Sequence, residues 1–76
     1  MSMSPTQCDG RCREVAERIR NQRMACGLSL RQAGQCTGVS FTHLSHIEGC
    51  RKCPTISMLY RIADGLGVSA RELLPP

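Results

Sequence analysis

The stretch SLRQAGQCTGVSFTHLSHIE, residues 29–48, decides the fold of this 76-residue chain. It predicts one short helix over residues 30–37 and a second over residues 41–49. Ser29 and Ser40 supply side-chain acceptors for the first amides of the two helices. Gly38 is free to adopt the positive φ that ends the first of them. The stretch therefore predicts two short helices joined by a tight turn.

A small residue and an apolar pattern indicate how these two helices pack. Gly34 allows the helices to cross closely. Leu44 and Ile47 lie three residues apart on one face of the second helix, and Val39 stands in the turn. The combination is typical of a helix-turn-helix. In that geometry the second helix enters the major groove of DNA and offers its exposed side chains to base edges.

The flanking sequence predicts three further helices. One spans residues 11–25 and stops at Gly27. Another spans residues 56–65, and Ser69 with Glu72 forms a capping box that opens a short last helix. The apolar residues of the fourth helix are predicted to share its inner face: Ile56, Leu59, Ile62 and Ala63. No strand pattern occurs, so the fold class is all-α with five short helices.

Residues 1–8 show no apolar periodicity and are predicted to be a disordered lead, which leaves residues 9–76 as one helix-turn-helix domain. Ten basic and six acidic residues give a formal charge of +4, and 41% hydrophobic residues suffice for a compact core. No apolar run approaches the ~20 residues of a membrane helix. The polar start does not fit a secretory signal. We therefore expect a cytoplasmic protein with no membrane partner, and so small a chain is not expected to be an enzyme.

Five stretches carry a resemblance to a known family: VAERIRNQR (15–23), GLS (27–29), TGVSFTHLSHIE (37–48), PTISMLYRIADGLGVS (54–69) and ELL (72–74). Together they resemble the phage-repressor-like, or Xre/Cro-type, helix-turn-helix regulators. The resemblance implies a five-helix, lambda-repressor-like DNA-binding domain. It also implies a sequence-specific transcriptional regulator, expected to be a repressor, that binds double-stranded operator DNA as a homodimer.

The family's base-reading positions fall on the start and exposed side of the helix at 41–49. Phe41 is expected to pack on a thymine methyl, Thr42 to contact a base by its hydroxyl or methyl, and His46 to reach a guanine or a phosphate. The flanking positions are Ser40, His43 and Ser45. Two alternatives stay open: Phe41 folded onto the core, and His43 as a solvated surface histidine.

Phosphate contacts are expected where the chain offers positive charge or a helix start to the DNA. The start of the second helix presents amides at Ser29 and Leu30. The charged candidates are Arg23, Arg31, Arg51 and Lys52. The resemblance further implies that Arg23 pairs with Glu48, bridging the first and third helices. Arg11, Arg13 and Arg71 lie far from the motif and are predicted to be merely solvated.

Dimer contacts are expected from the end of the chain, with Val68, Leu73 and Leu74 as candidates. The chain departs from the family pattern at Gln22 and at Ala33-Gly34, where leucine and Leu-Ala are common. A glycine inside a helix costs about 1 kcal/mol relative to alanine. We therefore expect an underfilled core near the first two helices.

Six cysteines leave three interpretations open. They are free thiols in a reducing cytosol, reversible disulfides that act as a switch or staple, or ligands of zinc, with no cofactor otherwise expected. The zinc alternative would use Cys8, Cys12, Cys50 and Cys53. Cys50 also stands where the family has a glycine, at a position that calls for positive φ.

Two rival functions follow from these features. One is a thiol- or metal-responsive version of the same regulator, because Cys50 and Cys53 flank Arg51 and Lys52. The other is an antitoxin-like interaction module with a toxin-like protein partner, because such proteins can use the same fold.

Overall fold

The computed structural model describes residues 10–75, so the predicted disordered lead at 1–8 lies outside the described range. Four α-helices and a short 3-10 helix follow one another: α1 (Gly10–Ala25), α2 (Leu30–Thr37), α3 (Phe41–Glu48), α4 (Ile56–Leu66) and the 3-10 helix (Ala70–Leu73). No strand is present between residues 10 and 75. The predicted all-α class and its five helical segments are confirmed, although the last is a 3-10 helix.

Hydroxyl side chains fix where the short helices begin. The distance from the side-chain oxygen to the amide nitrogen it accepts from is 3.1 Å at Ser29, 3.1 Å at Ser40 and 3.2 Å at Thr55. Such a cap stabilises a helix by about 1 kcal/mol. Because eight residues are too few for a stable isolated helix, α2 and α3 depend on these caps and on packing.

The core is aliphatic and is drawn from every helix. Its buried members are Val15, Ile19, Ala33, Val39, Leu44, Ile47, Leu59, Ile62, Ala63, Leu66 and Leu73. Two predictions are wrong here. Ile56 was placed on the inner face of α4, yet it is 73% exposed. Leu73 was predicted to contact a second subunit, yet it is 1% exposed inside its own core.

Two glycines let α2 approach its neighbours closely. A Cβ atom on Gly34 would lie 3.0 Å from the carbonyl oxygen of Val39 in the turn. One on Gly65 would lie 2.6 Å from the carbonyl oxygen of Cys36 and from Cα of Thr37. Gly34 therefore permits a tight fit of α2 against the turn. Gly65 lies inside α4, not at its end as predicted, and the helix stops at Gly67, where φ is 76°.

Candidate nucleic-acid interface

The surface of α3 is the candidate reading surface. Leu44 and Ile47 are 1% and 0% exposed and fix the helix against the core. On the other faces Phe41 and Thr42 are exposed, while Ser45 and His46 are half-buried. Four predicted base-reading residues therefore remain at least partly accessible, and exposed Ser40 caps the helix ahead of them.

An ion pair holds the far end of α3 against α1. Arg23 Nε and Nη2 donate to the two carboxylate oxygens of Glu48 at 2.7 and 2.9 Å. Nη1 donates to the carbonyl oxygen of Leu28 at 2.8 Å. The hydrogen bond to Glu48 raises the pKa of the Arg23 guanidinium above its ordinary value, against the lowering effect of burial. The predicted bridge is thus confirmed, and phosphate contact by Arg23 stays a prediction.

Phe41 is not folded onto the core. It is 43% exposed, and the guanidinium carbon of Arg31 lies 5.1 Å from the centroid of its ring. A cation at this distance from an aromatic face is attracted by the ring's quadrupole. A shallow recess of about 430 Å³ borders the pair and is lined in part by Gly34 and Gly38. Arg31 is predicted from the sequence to contact a phosphate, and its contact with Phe41 is not.

His43 differs from its predicted alternative as a solvated surface residue. Its Nε2 atom is buried and has no hydrogen-bond partner among the described residues. The side chain as a whole is only half-buried, so it is not the solvated surface histidine of the alternative. Nε2 is not accessible to a base in this conformation, and base contact by His43 stays a prediction.

The residues predicted to contact phosphates differ in how accessible their donor groups are. Arg51 and Lys52 are exposed in the loop after α3. The backbone amide of Ser29 instead donates to the side chain of Gln32 at 2.8 Å, which closes a capping box. That amide is therefore engaged within the chain. Leu30 is half-buried and packs against the core. The Ser-x-x-Gln spacing was the available signal for the box.

The loop that carries Arg51 and Lys52 begins with a strained residue. Cys50 has a φ of 61°, and it is the single non-glycine with positive φ within residues 10–75. Its amide donates to the carbonyl oxygen of Ile47 at 3.1 Å, and the amide of Arg51 donates to that of His46 at 2.8 Å. These two bonds form the Schellman motif that glycine usually completes. The prediction that this position needs positive φ is confirmed.

A disulfide joins the start of α1 to the same loop. Cys12 and Cys53 are bonded, with their Cα atoms 5.7 Å apart. Cys26 and Cys36 are exposed free thiols, so the cysteines are neither all free nor all paired. Within residues 10–75 no cluster of three or more ligand side chains could hold a metal. Cys12 and Cys53, bonded to each other, are not thiolates available to zinc, and Cys8, the fourth proposed ligand, lies outside the described residues.

The predicted dimer residues have different surroundings. Leu74 is 43% exposed, Val68 is half-buried against the core, and Leu73 is buried. Two further apolar residues, on α4, are not among those predicted to form the dimer, yet Ile56 is 73% and Tyr60 is 59% exposed. Their i,i+4 spacing was the available signal.

None of the helices in the described range has both the length and the apolar character needed to cross a membrane.

Comparisons with known proteins agree with this geometry. The family model described as a helix-turn-helix domain matches residues 14–75. An uncharacterized HTH-type transcriptional regulator of Sinorhizobium fredii is 40% identical over 50 residues, which is 66% of this chain and 65% of that protein. The chain thus spans slightly less than two thirds of this relative's length.

Two solved structures are similar to most of this chain. An HTH_3 family transcriptional regulator from Vibrio cholerae has a TM-score of 0.80 at 39% identity, over 82% of this chain and 35% of that one. A hypothetical transcription factor from Neisseria has a TM-score of 0.83 at 26% identity, over 99% of this chain and 88% of that one.

Proposed function

Because this chain belongs to the helix-turn-helix domain family, we propose that it is a transcriptional regulator of the Xre/Cro type that binds operator DNA sequence-specifically and represses transcription. The observation that carries the proposal is the accessible surface of α3, held at its far end by the pair Arg23–Glu48. Phe41, Thr42 and His46 contact bases in the major groove. Arg51 and Lys52 contact phosphates beside it.

Selection from random double-stranded DNA tests the proposal. We expect the protein to enrich a defined sequence, and we expect Thr42→Ala with His46→Ala to abolish or change that sequence. Enrichment of no sequence at physiological salt, by protein whose native fold is verified by circular dichroism, would contradict it.

Salt dependence tests the phosphate contacts. Each neutralised phosphate contributes about 0.9 to the slope of log K against log salt concentration. We expect Arg51→Ala with Lys52→Ala to reduce that slope by about 1.8. Arg13→Ala with Arg71→Ala removes the same net charge from exposed positions away from the motif, and we expect an unchanged slope. Equal losses in both variants would assign the effect to net charge alone.

The homodimer belongs to the same proposal. Ile56, Tyr60 and Leu74 are large apolar side chains with 43% or more of their surface exposed. Burying such surface between two copies is favourable at about 25 cal/mol per Å². A dimer would place two copies of α3 on the half-sites of a near-palindromic operator.

A second candidate function is favoured by the Cys12–Cys53 disulfide. Transcriptional regulators bind DNA in reducing compartments. Disulfides in such compartments are usually transient or redox-sensing. In this version a dithiol reductant is oxidised to its disulfide. The Cys12–Cys53 bond takes up two electrons and two protons and becomes two thiols. The loop bearing Arg51 and Lys52 then loses its tether to α1.

Operator affinity measured with and without reductant tests the redox version. We expect weaker binding by reduced protein and by Cys12→Ser with Cys53→Ser. Cys26→Ser with Cys36→Ser keeps the disulfide, and we expect it to behave like the wild type. If a specific sequence is bound with an affinity that does not change on reduction, the redox switch is refuted and the proposal of a DNA-binding regulator is retained.

A further inference from the structure

Arg31 and Phe41 form a contact that spans both helices of the motif. Arg31 lies on α2 and Phe41 is the first residue of α3, and the guanidinium carbon is 5.1 Å from the ring centroid. Both residues are exposed. In the described range ion pairs join only Arg18 to Glu14 and Arg23 to Glu48. The charge of Arg31 therefore has no anionic partner there and is held by an aromatic ring.

The two side chains recognise complementary features of a base-pair edge. A phenyl ring has no hydrogen-bonding group, so in the major groove it selects the C5-methyl group of a pyrimidine. A guanidinium is planar and holds its N–H donors in that plane, so they stay available while the cation lies over the ring. Those donors match O6 and N7 of guanine, which arginine binds with two hydrogen bonds.

The spacing of the pair suits neighbouring base pairs. Successive base pairs are stacked about 3.4 Å apart along the helix axis. The guanidinium carbon lies 5.1 Å from the ring centroid, between one and two such steps, so the two side chains can address adjacent layers of the duplex. We propose that Arg31 and Phe41 act as one reading unit for a 5-methylpyrimidine next to a guanine. Phe41 packs on the methyl group, and Arg31 donates to guanine in the adjacent base pair.

The recess beside the pair leaves room for this approach. Its lining includes Gly34 and Gly38, which place no side chain between α2 and the start of α3. The inference rests on the proposed function and deepens it, since it assigns bases to two residues of the same surface. It also gives Arg31 a base-reading role in place of the predicted phosphate contact.

Modified DNA probes test the inference once selection has supplied a bound sequence. At the position of the expected thymine, four probes carry thymine, uracil, cytosine or 5-methylcytosine. We expect the two methylated bases to bind about fourfold more tightly than their unmethylated counterparts, the effect of one buried methyl group. Replacing the adjacent guanine by 7-deazaguanine removes the N7 acceptor, and we expect roughly tenfold weaker binding.

Variants assign each effect to its residue. Phe41→Ala should lose the methyl preference, and Arg31→Ala, which leaves no donor for O6 or N7, should lose the guanine preference. Melting temperatures of both variants report any loss of folding separately. If a sequence is enriched but uracil binds as well as thymine, or Arg31→Ala keeps its sensitivity to 7-deazaguanine, the proposed reading unit is wrong, whereas the proposal of DNA binding is unaffected. If no sequence is enriched, the proposed function itself fails.

Discussion

Arg23 and Glu48 are separated by 25 residues, yet two parallel hydrogen bonds of 2.7 and 2.9 Å join them. Their side chains are only 15% and 8% exposed. The third arginine nitrogen is bound to the carbonyl oxygen of Leu28. The orientation of α3 relative to α1 therefore depends on a bidentate, largely desolvated ion pair and not on a solvent-exposed one.

Glu48→Ala should lower the free energy of unfolding by about 2 kcal/mol, between the values typical of exposed and of buried ion pairs. The loss is expected because the Arg23 charge stays partly buried without its partner. Arg23→Lys should also destabilise the domain, since an ammonium group cannot make the bidentate contact with Glu48. Urea unfolding followed by circular dichroism measures both effects.

Glu14 and Arg18 provide the matched control on the surface. Their closest atoms are 3.9 Å apart, and their side chains are 50% and 38% exposed. We expect Glu14→Ala to change stability by less than about 0.5 kcal/mol. Equal effects of Glu14→Ala and Glu48→Ala would refute the structural role assigned to the buried pair.

Gly65→Ala should destabilise the domain although alanine favours helices. The added methyl group would lie 2.6 Å from backbone atoms of α2, which cannot move as a flexible side chain can. We expect a loss of about 1–3 kcal/mol, the usual cost of overpacking. Gly10→Ala is the control, because nothing lies within 4 Å of its added Cβ. Thermal melts compare the two, and a stable Gly65→Ala would contradict the close approach of α2 and α4.

The positive φ of Cys50 predicts an unusual ranking of two small substitutions. Under full reduction Cys50→Gly should be more stable than Cys50→Ala by about 1 kcal/mol, because glycine adopts φ of 61° without steric cost. Both variants lack the thiol, so the comparison isolates the backbone. Chemical denaturation in the presence of reductant measures the difference, and alanine equal to glycine would show that the position relaxes.

The Cys12–Cys53 disulfide should stabilise the fold by restricting the unfolded chain. Its two cysteines are 41 residues apart, a separation for which the chain-entropy estimate is about 4 kcal/mol. Cys12→Ser with Cys53→Ser should therefore lower the urea midpoint markedly. Cys26→Ser with Cys36→Ser should not, because those thiols are free and exposed. Similar midpoints for all three proteins would argue against the bond in solution.

Leu73 and Leu74 should respond differently to the same charge. Leu73→Glu should unfold the domain, because it places a carboxylate at a site that is 1% exposed. Leu74→Glu and Tyr60→Glu should keep the fold and lower the mass measured by sedimentation, since both residues are exposed and proposed to contact a second copy. A dimer mass unchanged by both variants would move the interface elsewhere.

The helix-turn-helix was predictable because local signals determine it. Ser29 caps α2, Gly38 ends it, and the predicted bounds of that helix match the observed ones. The prediction that Ile56 is buried was wrong because burial depends on tertiary packing and not on local signals. Apolar periodicity identifies residues that share a face, but it does not say how far a neighbouring helix extends to cover them. Leu73 and Leu74 are adjacent, and only the turn of the 3-10 helix decides which is buried.

The candidate site was predictable in its main helix and less so in its contacts. Cap and spacing located the exposed residues of α3. The contact of Arg31 with the ring of Phe41 joins residues ten apart, and it depends on how two helices pack. The bond between Cys12 and Cys53 likewise depends on the folded chain, because six cysteines allow many pairings.

The cross-link divides the polypeptide into a closed ring and two tails. The ring runs from Cys12 to Cys53 and holds nearly all of α1 together with α2 and α3, while α4 lies in the tail beyond it. If single oxidised molecules are stretched from their two ends, the ring transmits the force through one covalent bond and does not unravel. At about 3.6 Å per residue, the fully extended length of the oxidised molecule is about 150 Å shorter than that of the reduced chain. An optical-tweezers trace would therefore register the oxidation state of one cysteine pair as a length.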